Sequence, residues 1–197
     1  SNLNDFDPQS NRKSVAEPVN IDAWVLGERA RLVQTVAQAY SDFNFRKAHE
    51  TIFNFCNDTM SAIYLSAVKD RLYCDEPDSL RRRRTQTTMH EIADTLIRLI
   101  APILPHTADE AWMALHGSEV QSVHFELLPE CDSPEIDEAW QTVMSDRNVW
   151  LKSIEEARQQ LGIDNPLDCG LIVHRSKMLA LFDPVDLADL CGISRIE

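Results

Sequence analysis

Glycine is scarce, with five in 197 residues. That leaves too little turn chemistry for a many-stranded sandwich or barrel and makes helix the expected main element. No apolar run approaches the roughly 18 residues of a membrane span. The opening residues, Ser1 to Pro8, are polar and acidic, with none of the apolar core of a secretory signal. Cys56, Cys74, Cys131, Cys169 and Cys191 are odd in number and far apart, without a Cys-x-x-Cys pair. Neither a disulfide framework nor a zinc site is indicated, and scattered reduced thiols fit the cytosol. Gly27, Gly117, Gly162, Gly170 and Gly192 cannot be assembled into a phosphate-cradling loop. The histidines His49, His90, His106, His116, His124 and His174 include no i, i+4 pair and no His-Glu-x-x-His, so no metal or catalytic centre is expected.

What is present is acid. Thirty-two Asp and Glu face 19 Lys and Arg, a formal charge of −13. The excess is uneven. Residues 1–80 carry −4 (12 acids, 8 bases), residues 81–116 carry +1 (4 and 5), and residues 117–197 carry −10 (16 and 6). A nucleic-acid surface is therefore expected in the first two thirds.

The hydrophobic fraction of 44% is enough for a sizeable core. Residues 1–20, with Pro8 and Pro18 and no periodicity, read as a linker. A helix is expected from Ile21 with a stripe of Leu32, Val36, Ala39, Tyr40 and Phe43, ending at Ser41-Asp42 and Asn44. A second should run from Phe45 to about Arg71. Ala48, Ile52, Phe55, Thr59, Ala62, Ile63 and Ser66 lie along one side, and Phe53, Met60, Tyr64 and Ala67 widen the apolar arc. So wide an arc belongs in the middle of a bundle.

After Cys74-Asp75-Glu76-Pro77, Asp78 or Ser79 caps a third helix reaching Leu99-Ile100, with Met89, Ile92, Ala93, Leu96, Leu99 and Ile100 inward. Pro102 and Pro105 stop or kink it. Thr107-Ala108-Asp109-Glu110 reads as the capping box of a short helix ending near Gly117. His124, Phe125 and Leu127 then lie in an extended connector. Ser133-Pro134 opens a long helix with a stripe through Ile136, Trp140, Val143, Arg147, Trp150, Ile154, Ala157 and Leu161, stopped by Gly162. The tail reads as a small α/β unit: a strand over 167–174, a short helix over 176–182, a helix capped by Asp183-Pro184, and a strand near 193–196. The expected organisation is a linker (1–20), an all-α bundle (21–162) and a small C-terminal α/β appendage (163–197).

The basic residues carry most of the functional signal. Lys69 and Arg71 close the second helix, and Arg81-Arg82-Arg83-Arg84 open the third. In an antiparallel hairpin both groups share one end of the bundle. Arginines in a first helical turn oppose the helix dipole and need acidic or phosphate partners. Chemistry alone leaves two readings open, a nucleic-acid contact or an intramolecular ion-pair network.

At these residues the chain resembles a known family. Phe55-Cys56, Ser61-Ala62-Ile63-Tyr64-Leu65 and Lys69-Asp70-Arg71-Leu72-Tyr73 look like the long central helix of the anticodon-binding domain of isoleucyl-tRNA synthetases, which are class I aminoacyl-tRNA synthetases. Ser79-x-x-Arg82-Arg83-x-x-Gln86-Thr87, Leu99 to Pro105, and Ala108-x-Glu110-x-Trp112 resemble the motifs that follow. Asn4-x-Phe6-Asp7-Pro8, Asp22-x-Trp24, and Ile154-Glu155-x-Ala157-Arg158 with Leu161-Gly162 extend the likeness over nearly the whole chain. The Lys-Asp-Arg-Leu-Tyr run favours the isoleucine enzyme over its valine and leucine relatives. His106, Arg81 with Arg84, and Asp164 to Cys169 depart from the family pattern.

The resemblance implies a helix bundle that holds the anticodon arm of tRNA(Ile) while a catalytic domain of the same polypeptide charges the acceptor end. ATP and Mg would belong to that parent enzyme. The chain shows neither the His-x-Gly-His-type nor the Lys-Met-Ser-Lys-Ser-type signature and reads as a domain with no catalytic site or metal of its own. Lys69, Arg71, Arg82, Arg83 and Gln86 are the candidate tRNA contacts, in a cytoplasmic protein without a membrane. An alternative makes the bundle a scaffold between domains of the same synthetase.

Overall fold

A computed structural model describes residues 3, 5–14, 19–130, 138–173 and 179–197. Helix α1 spans Ile21–Ser41, with Asn20 as its cap accepting from the Ala23 N–H. Its inner face is Ile21, Val25, Leu32, Val33, Val36 and Ala39. Phe43, placed by periodicity on this stripe, instead follows the helix with φ of +53° and is 81% exposed.

The second helical rod runs from Phe45 to Tyr73 but is not uniform. α2 (Phe45–Asn54) leads into a π-helical stretch, Phe55–Tyr64, and then α3 (Leu65–Tyr73). Bonding of the i→i+5 type widens each turn. The buried positions Phe55, Met60 and Tyr64 are accordingly five and four residues apart. This shift in phase leaves Ala62 and Ser66 outside, contrary to a uniform 3.6-residue reading, and carries Tyr64 fully into the core.

Ser79 caps α4 (Leu80–Ile100) by accepting from the Arg82 N–H. Along α4 every side chain after Leu80 is buried or half-buried, so α4 occupies the middle of the bundle. Its first half buries Thr85, Gln86, Thr87 and Thr88, and Ile92 and Leu99 follow. The Tyr40 hydroxyl donates to the Leu99 carbonyl at 2.6 Å and pins the far ends of α1 and α4 together.

Helix α5 (Pro105–His116) starts at Pro105, not at a Thr107 cap. Proline at the first helical position has no N–H to leave unpaired, so it opens this helix. Asp109 instead accepts from the Ser122 hydroxyl at 2.5 Å and the Val123 N–H at 3.2 Å, curling 123–125 into a 3-10 turn in place of the extended connector. Ile97, Ala101, Ala108, Trp112 and Val123 form a small satellite core there.

Helix α6 (Glu138–Leu161) lies along the bundle through Trp140, Val143 and Ile154. The expected Ser133-Pro134 start and Ile136 lie outside the described residues. Trp140 sits 6.2 Å from Trp24 and edge-on to Phe182 at 4.9 Å. Trp150 is half-buried, while Ala157 and Leu161 are exposed, so the stripe is covered only to Ile154. Gly162, at φ +66°, ends the helix.

In the tail, β1 (Gly170–Leu171) and β2 (Arg195–Ile196) pair in parallel, Gly170 opposite Arg195, around α7 (Pro184–Cys191), which Asp183 caps. The strands are shorter than the sequence suggests. Leu179, Phe182, Leu187, Leu190, Ile193 and Ile196 belong to the same continuous core as α1 and α3. The described molecule is a helix bundle with a two-stranded appendage sharing its core.

Candidate nucleic-acid interface

The α3–α4 hairpin brings Lys69, Arg71 and Arg81 to Arg84 to one end, as the topology requires. The structure sorts them by burial. Lys69 is exposed and forms no ion pair among the described residues. Tyr73, one helical turn on along the same face, is 72% exposed.

Arg71, expected as a phosphate contact, has no exposed surface. Its Nη2 donates to Asp186 at 2.7 Å and to Asp189 at 3.0 Å, and its Nε to Asp189 at 3.1 Å. Asp22 lies 3.8 Å from Nη1. Asp22, itself fully buried, accepts from the Tyr64 hydroxyl at 2.6 Å, from Thr85, and from Arg84 Nε at 3.0 Å. Asp186 also accepts from the Ile21 N–H. One network thus ties the starts of α1 and α4, the end of α3, and α7. Burial pushes the Asp189 carboxyl up despite the opposing Arg71 charge. Burial, reinforced by the Asp22 charge, pushes the Tyr64 phenol well above its usual range.

The arginine run is likewise matched by acids. Arg81 grips Asp75 through two bonds, 2.7 and 2.9 Å, and that bonding holds the Asp75 carboxyl low against its partial burial. Arg82 donates to Asp5 at 2.9 Å and to the Asp75 carbonyl. Arg83 donates to the Asp5 carbonyl at 2.5 Å, to Gln86 at 2.9 Å and to Asp78 at 3.0 Å. Gln86, fully buried, donates to Asp5 at 2.7 Å. Burial works to raise the Asp5 carboxyl, but the Gln86 hydrogen bond and the Arg82 and Arg83 charges outweigh it and bring it below its usual value.

Of the five candidates, then, Arg71 and Gln86 are interior, Arg83 is nearly so, Arg82 is mostly covered, and Lys69 alone is open to solvent. An interior guanidinium wrapped by carboxylates makes no phosphate contact. Arg71 and Gln86 thus expose no side-chain surface at this end of the bundle. The first-turn arginines, which oppose the helix dipole, find acids as their partners. Nothing in the sequence marks Asp5, Asp22, Asp186 and Asp189 as partners of these arginines, because they lie far along the chain from them, up to 118 residues for Asp189 and Arg71. Residues 5–14, read as a linker, lie along α4: the Lys13 N–H donates to Thr87, Arg12 pairs with Glu91, and Phe6 packs 5.9 Å from His90.

Among the described residues no cluster of His, Cys, Asp or Glu could hold a metal ion. The acidic groups at this end already neutralise arginines. No helix of the described residues is long and apolar enough to cross a membrane.

A family model described as the anticodon-binding domain of tRNA ligase matches residues 22–173. The chain belongs to that family. It is 36% identical over 207 residues to the isoleucine--tRNA ligase of Brevibacillus brevis, covering 100% of this chain and 22% of that protein. It is 35% identical over 206 residues to that of Petrotoga mobilis, with the same shares. With the Desulfitobacterium hafniense ligase the identity is 40% over 187 residues, 92% of this chain and 20% of that protein. The chain therefore spans about a fifth of the length of the curated relatives it matches.

Proposed function

We propose that this chain is the part of an isoleucine--tRNA ligase that holds the anticodon arm of tRNA(Ile). Residues 21–162 would be the binding bundle and 163–197 its appendage, in a cytoplasmic enzyme. Charging with isoleucine, together with ATP and Mg, would reside in the catalytic domain of the same polypeptide. The observation that carries this reading is membership of the anticodon-binding family, joined to isoleucine ligases among the relatives.

The mechanism is positional. Lys69 and Tyr73 share the open face at the end of α3, where an ammonium can neutralise a phosphate and a phenol ring can stack on an unpaired loop base. Arg82 lies at the edge of this surface. Beneath it Arg71 ties α3 to α7, and Arg83 with Gln86 ties α4 to the segment at Asp5, so that the exposed pair is held rigidly. The test is tRNA(Ile) affinity against salt for Lys69→Ala in the ligase polypeptide containing this chain. The salt slope is expected to fall by about 1, with isoleucine-dependent ATP–pyrophosphate exchange unchanged. An unchanged slope would remove Lys69 from the interface.

A further inference from the structure

α2 carries an exposed stripe that nothing above explains. Phe45, His49 and Phe53 recur every four residues and fall within about 80° of arc on the helix. Phe45 is 50% and Phe53 61% exposed, and His49 stacks on Phe53 at 6.3 Å with an interplanar angle of 19°. Phe43, in the left-handed region, adds an 81% exposed ring at the tip. A non-glycine residue in that region is strained, and here the strain holds a phenyl group in water. The buried face of the same helix, Ala48 and Ile52, lies about a quarter turn away. α2 thus has the wide apolar arc of a helix at the centre of a bundle, with only part of that arc covered.

The three phenyl rings expose on the order of 400 Å², taking roughly 200 Å² for each full side chain. Single exposed apolar residues are ordinary, but Phe43, Phe45 and Phe53 stand exposed together at one helix and its approach, an apolar area in the range of the largest patch on a typical monomer, which is often functional. It is about half of the roughly 800 Å² per partner that a stable free-standing interface buries, so it does not suit a dimer of this chain. A covering element tethered in the same polypeptide needs far less area, because its effective concentration is high. The rim charges cancel: Arg46 pairs with Glu50 at 2.7 Å, and Asp42 offsets Lys47. An RNA surface would carry a cationic excess.

We infer that the α2 stripe of Phe43, Phe45, His49 and Phe53 is the docking face for the apolar side of an amphipathic helix from the remainder of the ligase polypeptide. The inference rests on the proposed reading of the chain as one part of a longer isoleucine ligase, since the relatives are about five times its length. The occupant lies across the stripe with apolar side chains at i, i+3, i+4 and i+7 filling between the rings.

The test is hydroxyl-radical footprinting of the natural polypeptide that contains this chain, with and without tRNA(Ile), read as protection factors at individual phenylalanines. Phe45 and Phe53 are expected to be protected at least tenfold without tRNA, close to the buried Phe182, and to change little when tRNA is added. A photo-crosslinking residue in place of Phe53 should attach to a helical peptide of the same chain. Protection that appears only with tRNA would overturn the inference in favour of an RNA surface. Protection that depends on protein concentration would overturn it in favour of a second copy, and no protection would leave the stripe uncovered. Isoleucylation of tRNA, assayed on the same preparation, separates these failures from failure of the functional reading itself.

Discussion

Removing the guanidinium of Arg71 while keeping its volume, as in Arg71→Met, tests the view that this end of the bundle is structural beneath its surface. The side chain is wholly buried against Asp186 and Asp189, with Asp22 at 3.8 Å. Asp22 keeps Tyr64, Thr85 and Arg84, whereas Asp186 keeps the Ile21 N–H and Asp189 keeps Arg81 at 3.7 Å. Two carboxylates are thus left under-compensated, one of them 2% exposed. Breaking such a buried pair from one side costs about 3–5 kcal/mol. A domain with a total stability of roughly 5–15 kcal/mol should lose a large part of it. Urea denaturation at pH 7 should show the midpoint falling without a change in slope. Asp189 has a raised pKa in the fold, so protonation relieves it first, and the deficit of the variant should shrink as the pH drops toward 4. In the ligase polypeptide, the salt slope of tRNA binding should stay as it is. A cost below about 1 kcal/mol with a slope reduced by about 1 would refute the reasoning and return Arg71 to the RNA surface.

Trp140→Ala should cost about 3–5 kcal/mol in the same assay, because the ring is buried between Trp24 and Phe182 and anchors α6; a loss under 1 kcal/mol would mean that α6 is not docked. Burial raises the Cys191 thiol to about 11, whereas Cys74 is exposed, so iodoacetamide at pH 8 should label Cys74 in the fold and Cys191 only after unfolding. Burial, aided by the neighbouring His116, depresses His90, so its neutral form contributes stability above its unfolded value near 6.5 that is lost as pH falls. His90→Gln should flatten stability against pH between about 7 and 5, and an unchanged profile would contradict this.

Helix positions were largely legible because periodicity, caps and proline act over a few residues. Ser79 and Gly162 mark their boundaries by local chemistry. The π-helical turn at 55–64 was not legible: its residues suit an α-helix equally well, and the altered phase shows only in which side chains are buried. Pro105 opens α5 where a stop is expected, because the same fixed φ serves both to end one helix and to open the next. The basic end was legible as a cluster, but its partners were not. Arg81 meets Asp75 only six residues away, yet nothing in the sequence pairs Arg71 with Asp189 across 118 residues. Tyr73 was visible within the Lys-Asp-Arg-Leu-Tyr run, and its exposure beside Lys69 emerged only from the packing of α3.

The most direct test of the anticodon-binding account is a crosslink map. tRNA(Ile) carrying a photoreactive uridine in the anticodon loop is irradiated with the ligase polypeptide containing this chain, and the attached peptides are sequenced. Crosslinks are expected on the peptide holding Lys69 and Tyr73 at the end of α3, lost when unlabelled tRNA(Ile) competes. Efficient crosslinking with no attachment anywhere in residues 1–197 would contradict the account.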